Sequence, residues 1–159
     1  MTNNDILRSI RYAFDFSEPK MIAIFGLAAA QVTRKQISNW LKPDDDPAFQ
    51  NCSDTQLAMF LNGLIIERRG KKEGPQPEPE NKLNNNIVFR KLKIALDLKA
   101  EDILQILAQT DVHISKHELS AFFRNPGHKH YRECKDQILR NFLKGVTMKY
   151  RDNIQAKHD

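Results

Sequence analysis

The chain has 159 residues, of which 40% are hydrophobic and 28% are charged, and its formal net charge is +5. This composition suits one or two small soluble domains and excludes a membrane-spanning protein, because the longest apolar run, residues 21–30, is too short to cross a bilayer. The polar first five residues lack the pattern of a secretory signal, so we expect a cytoplasmic protein whose two cysteines stay reduced.

The sequence repeats itself at an offset of 82 residues, and residues 3–69 align with residues 85–151 without a gap. The identical pairs include Asn3/Asn85, Asn4/Asn86, Arg8/Arg90, Asp15/Asp97, Ile24/Ile106, Ser38/Ser120, Cys52/Cys134, Asp54/Asp136, Gly63/Gly145 and Arg69/Arg151. A repeat of this length indicates a duplicated structural unit. We expect the shared residues to serve packing and the differences between the repeats to carry function.

Each repeat is predicted to begin with two amphipathic helices. The first helix runs from about Asn4 to Phe16, with apolar residues at spacings of three and four that define one buried face. The second helix starts near Ser17, where Glu18 and Pro19 suit a first turn. The second repeat keeps both apolar faces.

The third helix opens in both repeats with a capping box, in which two side chains satisfy free amides at the helix start. The boxes are Thr33 with Gln36 and Ser115 with Glu118. Pro43 and Pro126 end this helix. Trp40 and Phe122 fall on its apolar face and are expected in the core.

The fourth helix is predicted over Asp54–Arg68 and again over Asp136–Tyr150. Gly63 and Gly145 lie inside it, where each should cost about 1 kcal/mol relative to alanine. Because the glycine occurs in both repeats, we expect it to mark a close approach between two helices.

Between the repeats lies a segment rich in Gly, Pro and Glu, GKKEGPQPEPE, which is typical of an extended linker. The predicted organisation is a first helical repeat at 1–69, a linker at 70–85, a second repeat at 86–151 and a polar tail at 152–159. No β-alternation occurs, so the predicted fold is all-α, two tandem four-helix repeats. The repeats could dock within one chain or exchange between two chains.

Two short motifs recur with the duplication. Ser38–Leu41 and Ser120–Phe123 share one pattern, and Phe60–Gly63 and Phe142–Gly145 share another. With these motifs, the chain resembles the YehS-like family of uncharacterised bacterial proteins over nearly its whole length. The resemblance implies a duplicated all-α fold in the bacterial cytoplasm, and it implies no activity, cofactor or functional residue.

The positive charge belongs to one repeat. Residues 1–69 carry eight basic and eight acidic residues, whereas residues 86–151 carry thirteen basic and seven acidic ones, a net charge of +6. This imbalance favours an anionic partner for the second repeat, although ordinary solubility also explains it. The candidate phosphate contacts there are Lys91, Lys93, Arg124, Lys129, Arg132, Arg140 and Lys144.

The second and third helices partly fit a helix–turn–helix motif. In the first repeat, Arg34 and Lys35 lie on a polar face suited to DNA contacts. The turn position that usually holds glycine is Gln31, however, and the positive charge lies in the other repeat. A solvated polar face is therefore favoured over DNA recognition.

The loop after the third helix differs most between the repeats. The first repeat has Asp44, Asp45 and Asp46, whereas the second has His128, Lys129 and His130 in the corresponding stretch. Solvated turns are the simplest interpretation. The alternatives are attraction between the acidic and basic loops, or binding of a ligand by either loop. We predict no metal site, because adjacent aspartates lack the Ca²⁺-loop spacing and the histidines lack a second ligand pair for zinc.

No catalytic constellation is present. The sequence has no nucleophile elbow and no glycine-rich phosphate loop. Cys52 and Cys134 are interpreted as small buried hydrophobes. Arg8 and Asp15 lie two turns apart on one helix, so each should cap a helix or pair with another one.

We therefore predict a non-enzymatic helical interaction module without cofactors, which binds a protein partner or itself. The alternative is a nucleic-acid-binding protein that uses the basic second repeat, and such binding would weaken steeply with salt. A third hypothesis, a small-ligand or enzyme role, requires an enclosed pocket with converging polar groups.

Overall fold

The computed structural model describes the backbone of residues 1–158 and the side chains of residues 1–154. Within these residues the fold is all-α, as predicted, with eight helices and no strand. Each repeat contributes four helices. They are α1 Asn3–Phe14, α2 Glu18–Leu27, α3 Arg34–Leu41, α4 Asp54–Arg69, α5 Asn85–Ala95, α6 Ala100–Ala108, α7 Lys116–Phe122 and α8 Asp136–His158.

The predicted helix starts are confirmed by their hydrogen bonds. The Ser17 hydroxyl accepts a bond from the backbone N–H of Lys20 and so caps α2. Both capping boxes of the third helices are formed, with the Thr33 and Ser115 hydroxyls each accepting from the amide three residues later. The local sequence therefore decides where these helices begin.

Three helices end away from their predicted positions. α7 stops at Phe122, four residues before Pro126, so this proline does not end it. α1 stops two residues early, because Asp15 takes a left-handed conformation with φ of 55° and closes the helix. α4 ends where Gly70 takes φ of 85°, but its counterpart Asp152 continues α8 to His158. The predicted polar tail at 152–159 is thus helical up to His158, and its last residue lies outside the described residues.

The two repeats dock on each other within one chain. α1 of the first repeat packs most extensively against α8 of the second, and α4 packs against α5. At the offset of 82, α1 corresponds to α5 and α4 corresponds to α8, so each contact joins the first helix of one repeat to the fourth helix of the other. A pseudo-two-fold axis therefore relates the repeats. Of the two arrangements that the sequence leaves open, the structure therefore has docking within one chain.

One continuous hydrophobic core runs through both repeats. Trp40 and Phe122 are only 2% and 7% exposed, as predicted. The ring centroid of Phe25 lies 5.6 Å from that of Trp40, and the Phe89 centroid lies 6.3 Å from that of Phe122. Each fully buried large side chain contributes roughly 1.5–3 kcal/mol before conformational entropy is subtracted.

The repeated asparagines are structural. Asn4 is 1% exposed, and its amide nitrogen donates to the carbonyls of Trp40 and Gln50, both at 2.9 Å. Its oxygen accepts from the Cys52 backbone N–H at 3.0 Å. Asn86 makes the same three bonds in the second repeat. Each asparagine therefore holds the loop before the fourth helix against the first helix.

A second asparagine in each repeat binds the start of the fourth helix. The Asn3 amide donates to the Asp54 carboxylate at 2.7 Å, and Asn85 donates to Asp136 at the same distance. The bond from Asn3, with one from the Leu83 backbone N–H, lowers the pKa of Asp54 below its ordinary value of 3.8. These identical pairs are thus explained by packing between helices.

The repeated glycines mark close helix crossings, which confirms the prediction. A Cβ atom at Gly145 would lie 2.5 Å from the carbonyl oxygen of Ile106 on α6. A Cβ at Gly63 would lie closer still to the carbonyl oxygen of Ile24 on α2. Glycine is required at both positions because the obstructing atom belongs to the backbone.

Two ion pairs join the repeats, and in each of them an arginine of a fourth helix binds an aspartate of the other repeat. Arg151 Nη1 donates to Asp15 at 3.1 Å, and its counterpart Arg69 lies 3.0 Å from Asp97. Asp15 and Asp97 also close α1 and the turn after α5 in left-handed conformations. The prediction that Asp15 and Asp97 serve as caps or bind another helix is therefore confirmed.

The end of the linker is fixed to the helices. The Leu83 backbone N–H donates to Asp54 at 2.9 Å, and the Glu80 carboxylate lies 3.1 Å from Lys91 Nζ on α5.

No helix among the described residues is long and apolar enough to span a bilayer.

Candidate functional site: an arginine pocket in the second repeat

The loops after α3 and α7 have the same backbone but different side chains. Their equivalent hydrogen bonds from backbone N–H to carbonyl are Asp46 to Pro43 and Gln50 to Asn39, and His128 to Asn125 and Arg132 to Ala121. Both loops also contain a turn in which a side chain binds the backbone two residues later. Asp46 Oδ1 accepts from the Ala48 N–H, and His128 Nδ1 accepts from the His130 N–H. Each side chain of one loop therefore has a direct counterpart in the other.

In the first repeat, the acidic loop helps to neutralise an arginine of α1. Arg8 Nη2 donates to Asp5 at 2.7 Å and to Asp44 at 3.1 Å, and Arg8 Nη1 donates to the Lys42 carbonyl at 2.6 Å. Burial alone would raise the pKa of Asp5, but the hydrogen bonds from Thr2 and Arg8 lower it overall. The guanidinium of Arg8 is thus bound within its own repeat.

The second repeat keeps this arginine and loses both carboxylates. Asp5 and Asp44 are replaced by Ile87 and Pro126 at the equivalent positions. Arg90, the counterpart of Arg8, is exposed, and its guanidinium has no hydrogen bond or ion pair with any residue that the structure describes. Because both carboxylates are absent, the positive charge of Arg90 is not neutralised by any described residue of its own repeat.

Arg90 and Arg124 line one pocket of about 100 Å³, which we name the Arg90–Arg124 pocket. Its other lining residues are Asn84, Asn86, Ile87, Phe122, Pro126 and Tyr131. The Nε atom of Arg124 is buried and lacks a hydrogen-bond acceptor among the described residues. A buried donor without an acceptor costs roughly 1–3 kcal/mol. The pocket therefore combines two arginine side chains with a largely apolar wall.

The pocket also lies beside the first turn of α5. Asn84 is the N-cap of this helix, and the first turn carries no acidic residue. The first turn of α1 carries Asp5 at the equivalent place. Since the N-terminus of a helix favours negative charge, an anion at this end of α5 would be stabilised.

Three histidines cluster near the same loop. The ring centroid of His130 lies 5.5 Å from that of His128 and 6.4 Å from that of His117. Across the described residues, no group of three His, Cys, Asp or Glu side chains is placed to hold a metal ion.

A larger groove of about 280 Å³ lies between α6 and α8. Asp102 and Lys149 line it with opposite charges, and their counterparts Lys20 and Glu67 form an ion pair in the first repeat. Asp152 adds a second carboxylate where the first repeat has Gly70, so the groove carries one more negative charge than its counterpart. Lys149 offsets one of the two carboxylates, and none of the lining residues among the described side chains has a buried polar atom without a partner. The groove is therefore a weaker candidate than the arginine pocket.

Lys91 is a correction to the predicted phosphate contacts. It is only 9% exposed, and its Nζ donates to the Asn62 side chain at 2.6 Å and lies 3.1 Å from Glu80. Its charge therefore serves the contact between α4, α5 and the linker. Lys91 is therefore not a free cation for a phosphate group.

The other predicted contacts are spread over several environments. Arg34 is paired with Glu18 at 2.7 Å, and Lys93 Nζ lies 5.5 Å from the ring centroid of Phe123. Arg140 Nη1 donates to Gln137. The exposed residues without an ion pair among the described side chains are Lys35, Lys129, Arg132, Arg140 and Lys144. Of the predicted set, the structure places only Arg124 in the pocket.

Sequence reasoning missed Arg90. As a repeated charged residue it is predicted, like Arg8, to cap a helix or pair with another one, and among the described residues it does neither. The signal lay in the residues around it, because Asp5 and Asp44 of the first repeat are absent from the second.

The two cysteines are expected to be unreactive in the folded protein. Burial raises the pKa of Cys52 and of Cys134 to about 12, because desolvation disfavours the thiolate, and a neighbouring aspartate adds to the effect. At pH 8 we expect alkylation by iodoacetamide to be slow in buffer and fast in denaturant. Mass spectrometry after timed quenching measures both rates, and rapid alkylation of the native chain would contradict this assignment.

Comparisons with known proteins give a family but no activity. A family model described as "Protein of unknown function (DUF1456)" matches residues 3–70 and residues 85–152. The chain is 47% identical over 148 residues to the "Uncharacterized protein YehS" of Escherichia coli strain K12, which covers 92% of this chain and 95% of that protein. No solved structure matches.

Proposed function

Since the chain belongs to the DUF1456 family of proteins of unknown function, we propose its function from the geometry of the Arg90–Arg124 pocket. The protein is a non-enzymatic interaction module, and its second repeat binds an acidic segment of a protein partner. The first repeat serves as the scaffold on which the second is held.

The observation that carries this proposal is the difference between two equivalent arginines. Arg8 has two carboxylates of its own repeat, whereas Arg90 has none among the described residues and shares a pocket with Arg124. Arginine binds carboxylates through paired, charge-assisted hydrogen bonds. A surface with two such groups and an apolar wall suits an acidic side chain flanked by apolar residues.

The surroundings of the pocket favour a protein over a nucleic acid. A nucleic acid presents a continuous line of phosphates and requires a matching track of cations. In the second repeat, Lys116 pairs with Glu101 and Lys135 pairs with Glu133, and Lys91 is buried. Acidic residues therefore interrupt the basic surface.

Nucleic-acid binding is the second candidate. It is supported by Lys129 and Arg132, which are exposed on the same loop as Arg124 and have no ion pair among the described residues. These cations provide an attraction that is independent of the pocket.

A random peptide display library, selected on the full chain, tests the proposal. We expect the enriched peptides to be rich in Asp and Glu, and their retention to be lost on the variant Arg90→Glu/Arg124→Glu. In parallel, duplex DNA and single-stranded RNA are tested for a mobility shift at low ionic strength. A nucleic-acid shift without enrichment of acidic peptides would replace the proposal by its alternative.

A further inference from the structure

We infer that the Arg90–Arg124 pocket is a carboxylate-binding site, in which one aspartate or glutamate of the partner takes the position that Asp44 holds in the first repeat. This inference rests on the proposed function for the class of partner. It adds the chemical group that is bound, the residues that bind it and the geometry that the bound group adopts.

The first repeat supplies the template for the bound state. Asp44 reaches Arg8 at 3.1 Å from a loop whose backbone hydrogen bonds are repeated after α7. Pro126 stands at the position of Asp44 in the second loop. A carboxylate that contacts Arg90 from the side of Pro126 would therefore restore an interaction that this scaffold already forms once.

Three independent features of the pocket favour a carboxylate. Arg90 and Arg124 both line the pocket, and the Arg90 guanidinium has no partner among the described residues. The first turn of α5 lacks the acidic residue that α1 has. The volume of about 100 Å³ suits one small group, and the ring of Tyr131 and the side chain of Ile87 give the stem of an acidic side chain an apolar surface.

The probe is a capped nonapeptide with the sequence of residues 42–50, KPDDDPAFQ, because it contains the acidic loop that serves as the template. A second peptide with asparagine at its three aspartate positions is the control for charge. Isothermal titration calorimetry with the full chain measures both, and inorganic phosphate is tested as a competitor. We expect the acidic peptide to bind and the asparagine peptide to bind at least about tenfold more weakly.

Two kinds of variant locate the site. Arg90→Gln changes one exposed side chain and should weaken binding of the acidic peptide about tenfold or more, a loss typical of a charged hydrogen bond. Lys116→Gln removes one charge of the same sign from the same repeat outside the pocket, and should leave the affinity within about twofold. Thermal unfolding of each variant checks that the fold is kept.

The most specific variant carries Ile87→Asp and Pro126→Asp together. It gives Arg90 the two carboxylates that Arg8 has, so the pocket is filled from within and the peptide should no longer bind. The unfolding temperature should stay at or above that of the parent chain, because Arg90 gains partners.

The outcomes separate this inference from the proposed function. Unchanged peptide affinity in the Ile87→Asp/Pro126→Asp variant would overturn the carboxylate site, while acidic peptides selected from the library would still support the proposed function. Phosphate that displaces the peptide at equal concentration would overturn the assignment to carboxylates. Loss of binding in both Arg90→Gln and the double variant, with Lys116→Gln unaffected, would support it, even if the library yields no acidic partner.

Discussion

Replacing Gly145 with alanine is expected to destabilise the protein by about 3 kcal/mol or more, since inserting atoms into a packed interior usually costs 1–3 kcal/mol and here the neighbour cannot move aside. The new Cβ would lie 2.5 Å from the carbonyl oxygen of Ile106, and backbone atoms yield only if α6 and α8 separate. Gly63→Ala should cost at least as much, because its Cβ would approach Ile24 more closely.

Gly26→Ala is the matched control for this prediction. Gly26 lies within α2, and a Cβ built there meets no atom within 4 Å. Alanine at this position should leave stability unchanged or raise it by up to about 1 kcal/mol through helix propensity. Urea unfolding followed by circular dichroism measures all three variants, and equal stability of Gly145→Ala and Gly26→Ala would show that the helices do not cross closely.

Replacing Asn4 with alanine is expected to cost about 3 kcal/mol or more, because three backbone groups lose their partner and two of these bonds are buried. These groups are the carbonyls of Trp40 and Gln50 and the N–H of Cys52. Asn86→Ala should have a similar effect in the second repeat, where the same bonds occur.

Asn51→Ala provides the control, since Asn51 lies in the same loop but is exposed. Its substitution should change the free energy of unfolding by less than about 0.5 kcal/mol, as is usual for a surface residue. The same urea experiment applies. If Asn4→Ala proved as mild as Asn51→Ala, the asparagine would not be the link between the first helix and the loop.

The sequence predicted the helices well because their local signals are strong. Capping residues such as Thr33 and Ser115 decide the helix starts, and the spacing of apolar residues decides which face is buried. The pairing of α1 with α8 could not be predicted in the same way, since an apolar stripe specifies that a face is buried but not which helix covers it. The end of α8 was missed because Asp152, unlike Gly70, carries no stop signal.

The candidate site was predicted only in part. The sequence identifies basic residues but not their surroundings, so it predicts Arg124 together with Lys91, whose ammonium is buried. Arg90 is not predicted as a site residue, because an identical residue in both repeats is expected to have an identical role. What differs is its surroundings, and the counterpart residues Ile87 and Pro126 contain that information once both repeats are known to share one scaffold.

Arginine side-chain NMR gives the most direct test of the central claim. The claim is that the two repeats share one backbone arrangement, in which Arg8 is bound by carboxylates of its own repeat and Arg90 is free to bind a carboxylate of a partner. The Nε–H signals of Arg8, Arg90 and Arg124 are assigned by single substitutions and followed while the capped acidic nonapeptide is added. The signals of Arg90 and Arg124 should move together to saturation, while that of Arg8 stays in place because its carboxylates are supplied by Asp5 and Asp44. Equal movement of Arg8, or no movement of Arg90, would contradict the claim.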